Sequence, residues 1–271
     1  KYMKQQAREK GSTKIYDCDF LLQELDLEAS WQALIDSVEY KDGLRISWPM
    51  NRAKAIIDLY LYSLEAESNV EMLKVKSLDL VLTEKCTLKC TDCSNLMQYY
   101  ENPIDNDYET LITALDQFMK TIDYIYEVRV IGGEPLMYKN ISSVMEKLIS
   151  YQQCENIVIY TNGTIVPKSE KLKYFKNKKV HFYISNYGEV SGDTSKLEEA
   201  LDVWDIPYIT ERITTWQDCA SSFDKHNRTD ELNKFIFGNC CVNDALTLLH
   251  GKLYLCPYSA HAENLKAIPR T

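Results

Sequence analysis

The sequence lacks a long hydrophobic run and an excess of basic residues. No apolar signal-peptide core is visible at the N-terminus, and the most apolar helix-like stretch, residues 53–64, contains Asp58 and is too short to span a bilayer. The net charge is −9 at pH 7, which argues against a basic face for nucleic acid. We therefore expect a soluble, cytoplasmic protein without a membrane or nucleic-acid partner.

Histidine is also scarce, and the cysteines lack the pattern of a secreted disulfide framework. The four histidines show no metal-binding spacing, and we expect His181, within a predicted strand, to be a hydrogen-bonded core residue. Cysteine occurs nine times, an odd number, and most of these residues fall into two groups. Such grouping is typical of metal ligands in a reducing compartment. Cys18 and Cys154 stand alone and are expected to be plain thiols.

The chain divides into three zones by its pattern of apolar residues. Residues 1–76 repeat apolar side chains at helical spacing, which predicts a mainly helical N-terminal segment. Residues 77–215 alternate strand-like and helix-like stretches, and residues 216–271 form a C-terminal extension with a predicted β-hairpin. Strands are predicted at 77–84, 126–133, 156–163, 179–186 and 207–210, and helices at 108–122, 141–151 and 195–204, with a Lys-rich helix at 168–179.

Regular alternation of strands and helices predicts an α/β fold, because parallel strands need crossover connections between them. The pattern alone leaves an open doubly wound sheet and a barrel as alternatives. Polar or glycine-rich signatures follow four of the predicted strands: TEKC, IGGEP, YTNG and ISNYG. In both architectures ligands bind at the carboxyl edge of the strands. The sequence therefore predicts one site assembled from at least four strand ends.

Three cysteines lie in the loop after the first predicted strand. Cys86, Cys90 and Cys93 have the spacing C-x3-C-x2-C. A structural zinc site takes four protein ligands, usually in two C-x2-C pairs, and a thioredoxin-like dithiol would leave Cys86 unused. A four-iron cluster normally takes four thiolates, so three would leave one iron open to another ligand. The spacing favours the cluster.

With this spacing and strand context, residues 77–215 resemble the radical S-adenosylmethionine (radical SAM) superfamily. The resemblance implies a partial (β/α)6 TIM-type barrel and a [4Fe–4S] cluster held by the three cysteines. It also implies S-adenosylmethionine on the open iron, reductive cleavage to a 5′-deoxyadenosyl radical, and a ferredoxin or flavodoxin as reductant. One position departs from the family pattern, since Asp92 stands where an aromatic residue often precedes the third cysteine. Another group must then contact the adenine.

The same resemblance implies which residues contact S-adenosylmethionine. The glycines of IGGEP let the backbone bend and approach a ligand, and Glu134 would place an acceptor beside the methionine ammonium. The YTNG and ISNYG signatures lie where the family contacts the ribose and carboxylate, although Asn-Gly pairs are also common in turns. The implied contact residues are Gly132, Gly133, Glu134, Pro135, Asn162, Gly163, Ser185 and Asn186.

A second cysteine group, Cys240, Cys241 and Cys256, lies near the C-terminus. The segment predicts a hairpin with Gly251 in its turn and Pro257 after its second strand. Its C-x9-G-x4-C spacing resembles SPASM and twitch domains, which implies an auxiliary iron–sulfur cluster held by this group. The ligand set is incomplete, and a zinc site, a disulfide and plain buried thiols remain as alternatives.

Taken together, these features predict a radical SAM oxidoreductase that takes a hydrogen atom from a substrate carbon. A resemblance to radical SAM proteins from cell-surface polysaccharide gene neighbourhoods suggests a sugar or nucleotide-sugar, a small-molecule substrate. The SPASM and twitch resemblance suggests a peptide or protein side chain instead. A hypothesis from a different functional class is a zinc-stabilised binding module without catalysis, which would also account for the clustered cysteines.

Overall fold

The computed structural model describes residues 73–214, 227–240 and 245–267. The predicted helical segment 1–76 lies outside the described residues except for its last positions, which belong to the first strand. Within the described ranges, one sheet is accompanied by six α-helices. No helix in those ranges is both long enough and apolar enough to cross a membrane.

A single sheet organises the described part of the chain. Its strands are β1 Lys74–Val81, β2 Tyr124–Ile131, β3 Cys154–Thr161, β4 Val180–Asn186, β5 Tyr208–Arg212, β6 Leu246–Leu249 and β7 Lys252–Tyr254. Their order across the sheet is β5-β4-β3-β2-β1-β6-β7. Strands β1 to β6 pair in parallel, and β7 runs antiparallel to β6. The carboxyl ends of six strands therefore lie at one edge.

Helices connect or follow these strands. They are α1 Tyr108–Thr121, α2 Ile141–Ser150, α3 Ser169–Leu172, α4 Ser195–Val203, α5 Asp230–Gly238 and α6 Pro257–Asn264. Helix α1 begins after Asp107, whose carboxylate accepts the N–H of Thr110 at 2.9 Å and so satisfies one free donor of the first turn. The Lys-rich helix is shorter than predicted, with one α-helical turn followed by a 3-10 turn.

One face of the sheet, here called the outer face, is apolar and covered by helices. Leu78 and Leu80 of β1 point to this face and are fully buried. Helix α1 contributes Leu111, Leu115 and Met119, which recur every four residues and so form one apolar stripe. Because burial removes this apolar surface from water, the outer face forms the main hydrophobic core.

The opposite face, here called the inner face, is polar over part of its area. Side chains alternate along a strand, so Asp79 points away from its two leucine neighbours and forms an ion pair with Arg129 on β2. Helix α6 covers another part of this face, where Ala260 packs with Val81 and Leu249. The two faces thus differ in the kind of side chain that they bury.

The predicted α/β fold with parallel strands and crossover helices is confirmed, and the sheet is open rather than closed into a barrel. The predicted hairpin is present as β6 and β7, with Gly251 at a φ of +76° in its turn. Strand β6 also pairs in parallel with β1, where Leu248 lies opposite Leu80. The hairpin therefore extends the main sheet. Pro257 begins α6, a helix that the sequence pattern did not predict.

Candidate metal and cofactor site

The three clustered cysteines lie in the loop after β1, beyond the point where Thr83 pairs with Asp105 on a neighbouring segment. All three thiols have a raised pKa, mainly because they are buried. The pKa of Cys86 is raised to about 11. Repulsion by neighbouring thiolates further raises the pKa of Cys86 and Cys90. The thiols are thus close enough to repel one another when ionised. A cationic group is needed to stabilise three thiolates together.

A backbone N–H group points at the sulfur atom of Cys86. The N–H of Leu88 lies 3.4 Å from Sγ of Cys86. Such hydrogen bonds favour the thiolate form and are one of the ways in which proteins adjust iron–sulfur clusters. Near Cys93, the N–H of Leu96 donates to the Cys93 carbonyl at 2.9 Å, and the backbone of residues 95–97 partly offsets the effect of burial on the pKa of the thiol.

The glycines of IGGEP pack against the backbone of the cysteine loop. Gly133 donates its N–H to the carbonyl of Thr83, and Glu134 donates to that of Lys85, both at 2.8 Å. A Cβ atom at Gly133 would overlap the Lys85 carbonyl and lie 2.8 Å from Cβ of Cys86. The glycine is therefore required for the approach of the cysteine loop, whereas the sequence pattern had suggested the approach of a ligand.

Glu134 is completely buried, and its carboxylate faces other protein groups. It accepts hydrogen bonds from the hydroxyl of Thr161 at 2.8 Å, from the N–H of Asn162 at 2.9 Å and from the N–H of Leu136 at 3.1 Å. Burial outweighs these bonds and raises the pKa of Glu134 to about 7. The carboxylate fastens the end of β3 to the IGGEP turn, in which Pro135 is also buried. Its contact with a methionine ammonium stays a prediction.

Asn162 connects the end of β3 with the cysteine loop. Its Nδ2 donates to the hydroxyl of Thr87 at 3.0 Å and lies 3.7 Å from Sγ of Cys86. Its Oδ1 accepts the N–H of Thr164 at 3.0 Å. The amide is thereby held on both sides, and it can orient a sulfur ligand in the way that outer-shell groups do at metal sites.

The other predicted contact residues form tight turns at the ends of β3 and β4. Gly163 has a φ of +76°, and a Cβ there would lie 2.7 Å from Cγ2 of Thr194. Asn186 uses its Oδ1 to accept the N–H of Gly188 at 2.8 Å and its Nδ2 to donate to the Thr194 hydroxyl at 3.2 Å. The side chain of Ser185 hydrogen-bonds the phenol of Tyr187. These groups shape the edge of the site, and their contacts with a cofactor stay predictions.

That tyrosine, Tyr187, is a site residue that sequence reasoning missed. Burial raises its pKa to about 12, and its phenol also interacts electrostatically with Cys90, Cys93 and Cys86. An aromatic side chain therefore lies within electrostatic range of the three thiols, although Asp92 occupies the position where the family often has one. The signal that could have found it is its place directly after the ISN of the fourth strand end.

A buried polar cluster connects the start of the cysteine loop with helix α6, and it too was missed. Glu84 accepts hydrogen bonds from Nε2 of His250 at 2.8 Å and from Nδ2 of Asn264 at 2.7 Å. Asn264 also lies 2.9 Å from the hydroxyl of Tyr100, which bonds Nδ1 of His261 at 2.8 Å. The hairpin turn and α6 are thereby attached to the segment that positions the cysteines. No local sequence signal joins residues so far apart.

The second cysteine group is only partly described. Cys241 lies outside the described residues, Cys240 follows α5, and Cys256 directly precedes α6. The sulfur of Cys256 accepts the N–H of Ser259 at 3.4 Å. In the described ranges, no three His, Cys, Asp or Glu side chains converge on a position for one metal ion. The auxiliary cluster stays a prediction.

Comparison with known proteins finds similar sequences among radical SAM enzymes. No protein-family model matches the chain. GTP 3′,8-cyclase from Desulforamulus reducens is 26% identical over 137 residues, which cover 48% of this chain and 41% of that protein. GTP 3′,8-cyclase from Helicobacter pylori is 30% identical over 96 residues, which cover 33% of this chain and 28% of that protein. These cyclases are radical SAM enzymes. The chain is thus similar in sequence to enzymes of the radical SAM superfamily.

The chain spans less than half the length of the curated relatives that it matches. Among solved structures, BtrN in complex with AdoMet and 2-DOIA has a TM-score of 0.44 at 16% identity, covering 69% of this chain and 75% of that chain. Streptococcus suis SuiB bound to precursor peptide SuiA has a TM-score of 0.43 at 18% identity, covering 73% of this chain and 46% of that chain. Likenesses at this level do not assign a substrate.

The cysteine loop fits an iron–sulfur cluster better than a single ion. Cys86, Cys90 and Cys93 interact with one another as anions, yet within the described part of the chain they do not converge on one ion position. A four-iron cluster binds each thiolate through a different iron and so accepts wider spacing. The N–H of Leu88 stabilises negative charge on the sulfur of Cys86. The residues therefore suit a cluster with three protein ligands.

Proposed function

We propose that this radical SAM protein is an oxidoreductase in which Cys86, Cys90 and Cys93 hold a [4Fe–4S] cluster and the adjoining strand ends hold S-adenosylmethionine. When bound, these groups supply reductive cleavage of the sulfonium and a 5′-deoxyadenosyl radical that takes a hydrogen atom from the substrate. The observation that carries the proposal is the gathering of three thiols, one of them with an N–H donor, at the edge where parallel strands end.

The protein's own residues position the reacting groups in this proposal. The glycine turn and Asn162 hold the cysteine loop from two sides, while Glu134 fixes the end of β3. Tyr187 offers an aromatic face near the thiols, which suits the adenine that Asp92 cannot stack on. Because the hard chemistry belongs to the cofactors, few acid or base side chains are required.

For the substrate we propose a sugar or nucleotide-sugar. The name of the matched relatives denotes GTP, but the match covers less than half of those proteins and so does not decide the substrate of this chain. A peptide or protein side chain is the second candidate. It is favoured by the position of Cys256 at the start of α6, a helix that packs on the inner face. We further propose a ferredoxin or flavodoxin as reductant and a cytoplasmic location.

The test is anaerobic reconstitution of the full chain with ferrous iron and sulfide, followed by dithionite and S-adenosylmethionine. We expect a reduced four-iron electron paramagnetic resonance signal that shifts when S-adenosylmethionine is added, and release of 5′-deoxyadenosine detected by mass spectrometry. Cys90→Ala should lose both the core signal and the product. Cys154→Ala is the matched control, since Cys154 is buried in the outer-face core and should keep both.

Three outcomes would contradict the proposal. A colourless protein with bound zinc and no sulfide would favour the binding module. An intact, reducible cluster that never yields 5′-deoxyadenosine would favour a scaffold without catalysis. Persistence of the signal and product in Cys90→Ala would refute the ligand assignment.

A further inference from the structure

The cysteine loop is closed at its base by a side chain from the C-terminal extension. All three cysteines of the loop lie between Glu84 and Tyr100 in the chain, and these two residues are buried, with only 5% and 8% exposure. Asn264, at the end of α6, contacts both of them. Its Nδ2 donates to Oε1 of Glu84 at 2.7 Å and to the hydroxyl of Tyr100 at 2.9 Å. One amide group therefore joins the two ends of the loop.

Each end of the loop is also held by a second group. Glu84 accepts a hydrogen bond from Nε2 of His250 in the hairpin turn at 2.8 Å, and its other oxygen accepts the N–H of Ile104 at 2.9 Å. Hydrogen bonds to a carboxylate are stronger than those between neutral groups. The hydroxyl of Tyr100 bonds Nδ1 of His261 on α6 at 2.8 Å, and the two rings meet edge to face. These side chains are here called the loop clamp: Glu84, Tyr100, His250, His261 and Asn264.

The backbone at His250 indicates that its side chain serves the contact with the loop. His250 and Gly251 form the two-residue turn between β6 and β7, with φ values of +47° and +76°. Such turns favour Asn-Gly or Asp-Gly, because the first residue must also adopt the left-handed conformation. Asparagine would suit the turn, but its side chain is shorter than the imidazole that reaches Glu84. The residue at this position thus favours the contact over the ease of the turn.

The loop clamp is not the only attachment of α6. Ala260 packs with Val81 and Leu249, so apolar contacts already hold this helix on the sheet. A buried polar cluster costs more free energy than apolar packing of similar size. It also fixes its members in one arrangement, because hydrogen bonds are directional. A loop whose ends are fixed loses less conformational entropy when its thiolates bind a cluster.

We propose that the C-terminal extension is part of the core cluster site, because its loop clamp sets the positions of the three loop cysteines. Asn264 and His250 are positioning residues, since they act on the cysteine loop through Glu84 and Tyr100. The inference rests on the proposed function for the identity of the bound group. It adds to that function a requirement for a helix whose last residue lies 180 positions from Glu84 in the chain.

The first test uses the full chain, reduced and free of metal, so that no cluster is involved. Hydrogen exchange of the peptide spanning residues 85–100 is followed by mass spectrometry. Asn264→Ala and His250→Asn should each speed its exchange by about fivefold, because loop closure loses the net contribution of one hydrogen bond. His250→Asn keeps a residue that suits the turn, so this effect is not caused by loss of the hairpin. A peptide from α1 on the outer face is the internal reference and should exchange equally in all proteins.

The second test measures iron after anaerobic reconstitution with ferrous iron and sulfide. During competition with a chelator, both variants should hold iron about tenfold more weakly than the wild type, as when other groups that orient metal ligands are removed. Glu263→Ala is the matched control on α6. It removes a surface ion pair with Lys252 on β7, and it should stay within about twofold of the wild type in both tests.

The inference is overturned if either the exchange or the iron retention of both variants equals that of the wild type, or if Glu263→Ala changes them as much. Should one variant fail to fold by circular dichroism, Tyr100→Phe takes its place, since it removes only the hydroxyl that Asn264 and His261 contact. Faster exchange in the variants, with no four-iron signal in the wild type, refutes the proposed function alone. A signal that shifts with S-adenosylmethionine, together with unchanged exchange in the variants, refutes the clamp alone.

Discussion

The two faces of the sheet bury different kinds of side chain at a similar depth. The outer face buries aliphatic residues such as Leu80 and Leu115 against helices, whereas the inner face buries Asp79 and His181 and partly buries Arg129. An apolar inner face would be more favourable in free energy, since buried charges and polar atoms lose hydration that they regain only in part. The difference teaches that stability resides mainly on the outer face, because burial of the polar inner face gains less free energy.

The largest loss of stability is expected from Leu115→Ala on the outer face. Leu115 is fully buried, so truncation should lower the free energy of unfolding by about 3 kcal/mol through lost burial and a cavity. Urea unfolding followed by circular dichroism measures this. Val203→Ala, at an 82% exposed position of α4, is the control and should change it by less than about 0.5 kcal/mol. Equal losses in both variants would break the comparison.

Gly133→Ala, at the carboxyl edge between the two faces, should have a smaller cost in stability but a strong effect on the site. The added Cβ would overlap the Lys85 carbonyl, so we expect about 1–3 kcal/mol of destabilisation and a displaced Cys86. Iron content after reconstitution should fall. Gly238→Ala is the control, because a Cβ there meets nothing within 4 Å. Full iron content in Gly133→Ala would show that the glycine does not set the position of the loop.

The pH dependence of stability in His181→Gln tests whether the inner face buries a neutral imidazole. The folded-state pKa of His181, about 4, lies below the ordinary 6.5, so the folded state resists protonation and stability is lost as pH falls from 6.5 towards 4. Glutamine does not titrate, and the variant should therefore lose about 2 kcal/mol less than the wild type between pH 6.5 and 4.5. Asp79 and Glu134 have raised pKa values and act in the opposite direction, but equally in both proteins. Parallel pH curves from denaturant titrations would contradict the buried, neutral imidazole.

Asn162→Ala should lower the free energy of unfolding by only about 1 kcal/mol, the smallest loss of the four variants. Its main effect should be on iron binding at the site. Loss of the amide between Thr87 and Cys86 should weaken iron binding by about 10- to 100-fold, as for other groups that orient metal ligands. Iron retention during competition with a chelator measures this. Asn177→Ala, which removes a turn hydrogen bond to Lys179 at the opposite edge of the sheet, serves as control. Equal iron retention in the two variants would remove the positioning role of Asn162.

Local patterns predicted much of the fold and part of the site. The five core strands appear at the predicted places, with β1, β2 and β3 ending two or three residues early. The spacing of Cys86, Cys90 and Cys93 was enough to indicate the family, because cluster ligands on one short loop leave a local signature. The parallel pairing of β6 with β1 was not predictable, since nothing in a strand's own pattern names a distant partner.

The amino-acid sequence by itself determined which stretches become strands and helices, which of their side chains are apolar, and that three thiols share one loop. These properties depend on periodicity and spacing within a few residues. Only the tertiary structure decided that Glu134 turns inward to the end of β3, that Tyr187 lies within electrostatic range of the thiols, and that Nδ1 of His181 meets no partner among the described residues. The physical reason is that burial, hydrogen-bond partners and local charge are set by residues brought together from distant parts of the chain.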